Sequence, residues 1–203
     1  VESKEVVTLL EMSLQNLTTT NEDKKIDPKD FLERVDCLSA LGFPVAISNY
    51  GEFYRLAAYL FRYTQKTIGI TMGVPTLKEV FNEKYYEDLA GGILESFGRL
   101  FKNDLKLYVY PWKEPSTGAL ITATNLLVEP HLRHLYQYLY ENQFIQSLRD
   151  FDSECLGISS HKAFQRIKEG DGKWRSMVPE KVAALITERK LFMDRNEAGN
   201  ASL

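Results

Sequence analysis

Two stretches of this chain carry side chains suited to holding an anion, and each lies where a helix should begin. The first is Ser48-Asn49-Tyr50-Gly51, which closes a short β-branched run over residues 44–48. The second is Ser159-Ser160-His161, followed on the same expected helix by Arg166. Hydroxyl O–H and side-chain amide N–H groups beside the unpaired backbone N–H groups of a helix start can donate to a phosphate or a carboxylate. Ser and Asn are also the preferred N-caps, and capping without any ligand accounts for them more simply. Gly73 ends a second β-branched run, residues 67–72. In an open parallel sheet, ligands sit beyond the carboxyl ends of the strands. That rule makes Ser48, Asn49, Gly51 and Gly73 the first candidates, joined by Tyr110, Pro111 and Trp112 after a third run, residues 105–110.

Other constellations are weaker. Gly91-Gly92 opens a helical pattern, but neither a Walker A pattern nor Gly-x-Gly-x-x-Gly occurs, so a flexible turn is the simpler reading. His131 and His134 with Glu129 lack a third ligand at metal spacing, and no metal is expected. There is no Gly-x-Ser-x-Gly elbow and no Cys/His pair suited to nucleophilic catalysis, so no residue is named as catalytic. Tyr136, Tyr138 and Tyr140 alternate on a helix expected over residues 130–146, cannot share a face, and should leave aromatic surface for a protein partner.

The elements that must position these residues follow from periodicity. Helical spacing covers residues 4–17 and 28–38, the latter with Asp27-Pro28 as cap and first residue and Gly42 just beyond its end. Residues 18–25 read as a polar linker. The run 44–48, a helix over 52–65 and the run 67–72 form a strand, helix, strand unit, and a crossover of that length implies parallel neighbours. A short helix capped by Thr76, a helix after Gly91-Gly92, a strand over 105–110, a strand or hairpin arm within 119–128, and helices near 160–169 and after Pro179 complete the chain. The expected fold is α/β: a Rossmann-like, open, mainly parallel sheet of three or four strands flanked by helices. The N-terminal helical segment takes residues 1–41, the α/β domain with its helical C-terminal part 42–193, and a disordered tail 194–203.

With 203 residues, 44% apolar, 26% charged and net charge −3, the chain suits a soluble domain and not a nucleic-acid binder. No apolar run reaches membrane-span length. Cys37 and Cys155 lack metal spacing and are expected to be reduced, partly buried thiols in an intracellular protein. The chain opens Val-Glu-Ser without methionine, which fits an excised piece or a processed product. Loss of an organellar targeting segment would look the same, so a cytoplasmic or organellar location is expected.

The segment Gly157-Ile158-Ser159-Ser160-His161-Lys162-Ala163-Phe164-Gln165-Arg166, with Gly170 and Val178-Pro179 further on, resembles the end of nicotinate-nucleotide adenylyltransferases. The resemblance implies a Rossmann-like sheet and binding of ATP and a pyridine mononucleotide, with Ser159 and Ser160 at the phosphates. Three of its motif positions, Ile158, Ser159 and Ser160, match Ile-Ser-Ser-Thr-x-Ile-Arg. His161 stands for threonine, Ala163 for isoleucine and Phe164 for the phosphate-binding arginine, while Arg166 comes two residues late. The family's His-x-Gly-His is absent, and with it the donors that stabilise charge on the transferring phosphoryl group. The expected function is therefore a catalytically degenerate nucleotidyltransferase-like module, structural or binding, as a subunit of a larger assembly. The alternative is an active adenylyltransferase or other nucleotide-binding protein that uses Ser48, Asn49, Ser159, Ser160 and Arg166 around phosphates, with His161 as substitute donor.

Overall fold

The computed structural model describes residues 6–17 and 26–193. The polar linker over 18–25 and the tail expected to be disordered lie outside them. The chain forms two compact units, one from residues up to Asn49 together with those from Ile158 on, the other from Tyr50 to Gly157. The division differs from the expected boundary at residues 41 and 42, because the run after Gly42 pairs and packs with the elements before it.

Strand β1, Leu10–Ser13, and a 3₁₀ turn over Leu14–Leu17 stand where the sequence reads as a helix over 4–17, and residues 6–9 take no regular structure. Val6 and Val7, counted on its apolar stripe, are 82% and 76% exposed. Helix α1, Pro28–Ser39, starts as expected, with the Asp27 carboxylate accepting the Lys29 N–H. It is followed by Gly42 at φ 82°, a conformation glycine adopts at no steric cost. Strand β2, Val45–Ser48, lies parallel to β1 in the register Leu10 to Val45 through Ser13 to Ser48. The expected pairing of residues 44–48 with 67–72 is not formed. A ladder partner supplied from the N-terminal segment satisfies β2 instead, and the two runs belong to different sheets.

The second unit holds α2, Phe53–Leu60, and β3, Ile68–Gly73. Helix α3, Val74–Val80, begins directly after Gly73, which is its N-cap, so Thr76 is not the cap. Pro75 falls in the first turn, where its missing N–H costs nothing. Next come α4, Gly92–Leu100, and β4, Leu105–Tyr110. Two-residue strands β5, Trp112–Lys113, and β6, Leu120–Ile121, pair antiparallel as the expected hairpin arm. Helix α5 covers only Arg133–Glu141 after a 3₁₀ turn at Pro130–Leu132. Gln143 takes a left-handed φ of 62°, and Ile145, expected on the helix, instead enters β7, Ile145–Ser147. The sheet is parallel throughout, order β3-β4-β7, with β4 hydrogen-bonded on both sides. Central position explains its burial: Leu105, Leu107 and Val109 are fully buried beneath helices on an α/β sheet face.

In the first unit, α6, Ser160–Lys168, and α7, Glu180–Arg189, flank a 3₁₀ turn that buries Trp174. Trp174 packs with Ile167, Val182, Ile186 and Leu191, and Leu41 of the N-terminal segment joins this core. The architecture is thus mixed α/β, with open parallel sheets of two and three strands flanked by helices, consistent with a Rossmann-like fold. Among the described residues no helix is long and apolar enough to cross a membrane.

Two buried tyrosines tie the second unit to proton activity. The Tyr86 hydroxyl donates to the Val80 carbonyl at 2.7 Å and the Tyr136 hydroxyl to the Ala123 carbonyl at 2.6 Å. Burial pushes Tyr86 up to about 12, and pushes Tyr136 up as well. A tyrosine in the unfolded chain ionises near pH ~10. The folded form therefore holds protons that the unfolded form has lost, so this contribution is intact below about pH 10 and disappears as pH climbs toward the folded values. Urea midpoints measured from pH 8 to 12 should fall across the upper half of that range. A curve that stays level there would contradict the assignment.

Candidate functional site

The candidate residues divide between the two units. Ser48, Asn49, Ser159, Ser160, His161 and Arg166 belong to the first, Gly51 and Gly73 to the second. The expected pairing of residues 44–48 with 67–72, which would set Ser48 and Asn49 beside Gly73 at the carboxyl end of one sheet, is absent.

Each candidate can be followed to its contacts. The Ser48 hydroxyl, at the end of β2, donates to Glu11 Oε1 at 2.6 Å across the β1–β2 pair. The Asn49 carbonyl accepts from Gln15 Nε2 at 3.0 Å, and the residue is exposed. Ser159 is the N-cap of α6: its Oγ accepts the Lys162 N–H at 3.2 Å, which consumes one of the helix-start donors. Ser160 and His161 are exposed on the first turn. Arg166 lies 3.6 Å from the Asp171 carboxylate, beside the turn that ends α6. Gly51 is exposed but does not open a helix; α2 starts at Phe53 with Glu52 as N-cap, and the Glu52 carboxylate pairs with Arg55 at 3.3 Å. Gly73 is half-buried, and its role is that of α3 N-cap.

Phe164, at the motif position of arginine, has an apolar ring occupied on several sides. The Arg34 guanidinium is 5.4 Å and the Lys168 ammonium 4.7 Å from its centroid, and the Phe192 ring meets it edge-on at 5.5 Å. Cations attracted to an aromatic ring gain modest energy there, and the Arg34 contact joins α1 to α6.

The same self-satisfaction recurs at the other expected sites. Before α4, the Gly91 N–H donates to Glu95 Oε2 at 2.8 Å, and Arg99 bonds the same carboxylate. A side chain from within the helix therefore occupies the anion position that Gly91-Gly92 offers. Beyond β4, the Tyr110 hydroxyl donates to the Asp152 carbonyl at 3.0 Å with its ring edge-on to Phe151, and the Lys78 ammonium lies 5.8 Å from the Trp112 centroid. The mouth of the three-stranded sheet is lined by these aromatic contacts.

The histidines do not assemble. His131 Nε2 is 2.6 Å from Glu83 Oε2, and Arg133 Nε donates to His134 Nε2 at 3.2 Å. Among the described residues no group of three or more His, Cys, Asp or Glu is placed to hold a metal ion. Cys37 is half-buried, as expected, and burial with the Asp36 and Glu33 charges pushes its thiol up to about 11, which suppresses the reactive thiolate. Cys155 departs from expectation and is exposed. The tyrosines of α5 diverge as their spacing requires: Tyr136 is buried, and Tyr138, 58% exposed, stacks on Phe144 at 6.5 Å.

Sequence reasoning missed Glu11 and Glu95 as internal anions, and it missed a cleft of about 320 Å³ between the end of α3 and residues 127–129. Glu95 carried a readable signal, since it stands four residues after Gly91 on the same helix. Glu11 and the cleft had none, because each depends on chain segments far apart in sequence. Searches among protein-family models, curated proteins and solved structures returned no match to this chain.

Proposed function

We propose that this chain is a catalytically degenerate nucleotidyltransferase-like module that serves a binding or structural role in a larger assembly. One observation carries the reading: the positions suited to anions are met by the protein's own groups. Glu11 accepts from Ser48, Glu95 from Gly91, and Asp171 faces Arg166, while Phe164 replaces the motif arginine. A phosphate arriving at these positions must displace a carboxylate of like charge, and the attraction that would favour it is already spent. The protein partner proposed here uses the exposed side of α5 around Tyr138 and Phe144, an aromatic surface of the kind enriched at interfaces. Two unpaired thiols, Cys37 and Cys155, fit a reducing intracellular compartment, cytoplasmic or organellar.

The alternative, binding of ATP or a pyridine mononucleotide, draws on Ser160 and His161, which are exposed at the start of α6 beside helix-start N–H groups. Titration calorimetry of the full chain with ATP and with nicotinate mononucleotide separates the two readings. No saturable heat at millimolar ligand is the expected result. Saturable binding that His161→Ala abolishes would replace the degenerate reading with the nucleotide-binding one.

A further inference from the structure

The chain leaves α7 with a backbone that only its neighbours can hold. Lys190, at the helix end, has φ 53° and ψ 44°, and Phe192 has φ 60°. A left-handed φ is uncommon outside glycine and an outlier for a bulky ring, and residues held so persist only where their surroundings over-determine them. At Lys190 the reason is local, since the Leu191 N–H reaches back to the Ile186 carbonyl at 3.1 Å and closes the helix. At Phe192 it is not. The Phe192 N–H donates to Glu33 Oε2 at 2.8 Å, on α1, and its ring meets Phe164 of α6 edge-on. Just before it, Arg189 Nη1 donates to Asp36 Oδ2 at 2.8 Å.

Residues 189–193 thus form a strap on α1, strained in its backbone and fixed by two carboxylates. Its one fully buried anchor is Leu191, while Phe192 and Met193 are half-buried against the same core. Cys37 lies beside it. This residue follows Glu33 by one turn on the same face of α1 and packs on the core that takes Leu191, Phe192 and Met193.

We propose that residues 189–193 are a releasable strap that gates the Cys37 thiol. Leu191 leaves the core in a local step while Trp174 and the body of α7 stay packed, and reagents in solvent then reach the sulfur. Relief of the backbone strain at Lys190 and Phe192 offsets part of the cost of withdrawing Leu191. Segments held by few buried contacts open well below the free energy of global unfolding. The inference goes beyond the module reading and involves no nucleotide, so calorimetry and the following test can fail separately.

Reaction of the full chain with excess dithionitrobenzoate reads the opening, in a Cys155→Ser background because Cys155 is exposed. Cys37 should react in native buffer, at a rate that rises with urea far less steeply than unfolding followed by circular dichroism. Glu33→Ala and Glu33→Gln remove the same charge near the thiol, but only glutamine keeps an acceptor for the Phe192 N–H. Labelling should therefore be at least about tenfold faster in the alanine variant than in the glutamine variant. Lys190→Gly, which relieves strain in the closed strap and leaves the fold intact, should slow labelling about fivefold. A rate that follows global unfolding in urea overturns the proposal. So do equal rates in the two Glu33 variants, or labelling of Lys190→Gly no slower than the parent's.

Discussion

Replacing Trp174 with alanine should cost the first unit about 3–5 kcal/mol, the range for removing a buried indole and leaving most of its volume empty. Its ring is 2% exposed and packs with Ile167 of α6 and Val182 and Ile186 of α7, so no other side chain can fill the space without moving two helices. A loss of this size is comparable with the whole stability of an ordinary domain. The chain offers a convenient optical test. Its two tryptophans fall in different units, Trp174 in the first and half-buried Trp112 in the second. In Trp174→Ala the remaining emission reports the second unit alone, while circular dichroism reports both. The expected urea curve by circular dichroism shows an early transition that Trp112 fluorescence does not follow. An ellipticity curve indistinguishable from the parent's would show that Trp174 does not hold its unit together.

A comparable effect is expected in the second unit from Phe97→Ala. Phe97 is 3% exposed and lies at the centre of an aromatic cluster, edge-on to Phe81 at 4.9 Å, to Phe101 at 6.1 Å and to Tyr86 at 6.3 Å. Removal takes away its buried apolar area and the edge-to-face geometry of three neighbours, for a loss of about 3–5 kcal/mol. Hydrogen exchange should locate it: amides of β3, β4 and α4 lose protection, and those of α6 and α7 retain theirs. Equal loss in both sets would mean that the two cores unfold as one.

Local signals explain what the sequence could disclose. Asp27-Pro28, Ser159 and Gly170 are read from residue type and offset alone, and α1 and α6 begin where those rules place them. The 105–110 run is legible because its alternate residues are Leu105, Leu107 and Val109, all buried. Failures cluster where structure depends on a distant partner. Residues 10–13 fit a helical stripe equally well, and only the ladder to Val45–Ser48 makes them a strand. The three residues of β7 are too few for a period, and nothing in residues 130–146 except Gln143 marks the break. For the candidate site, the residue types were legible but their engagement was not. Ser48 advertises a hydroxyl, yet that hydroxyl is held by Glu11, on a strand the periodicity hid.

The first unit is split in the chain: α1 and its neighbours precede the second unit, and α6, Trp174 and α7 follow it. During synthesis, a ribosome delivers the whole of the second unit before the residues that finish the first one's core. The inserted part can therefore fold while the flanking part waits with Leu41 and the apolar side of α1 uncovered. A translation pause or truncation before Trp174 should strand that surface in the open and make the nascent chain a client for holdase chaperones.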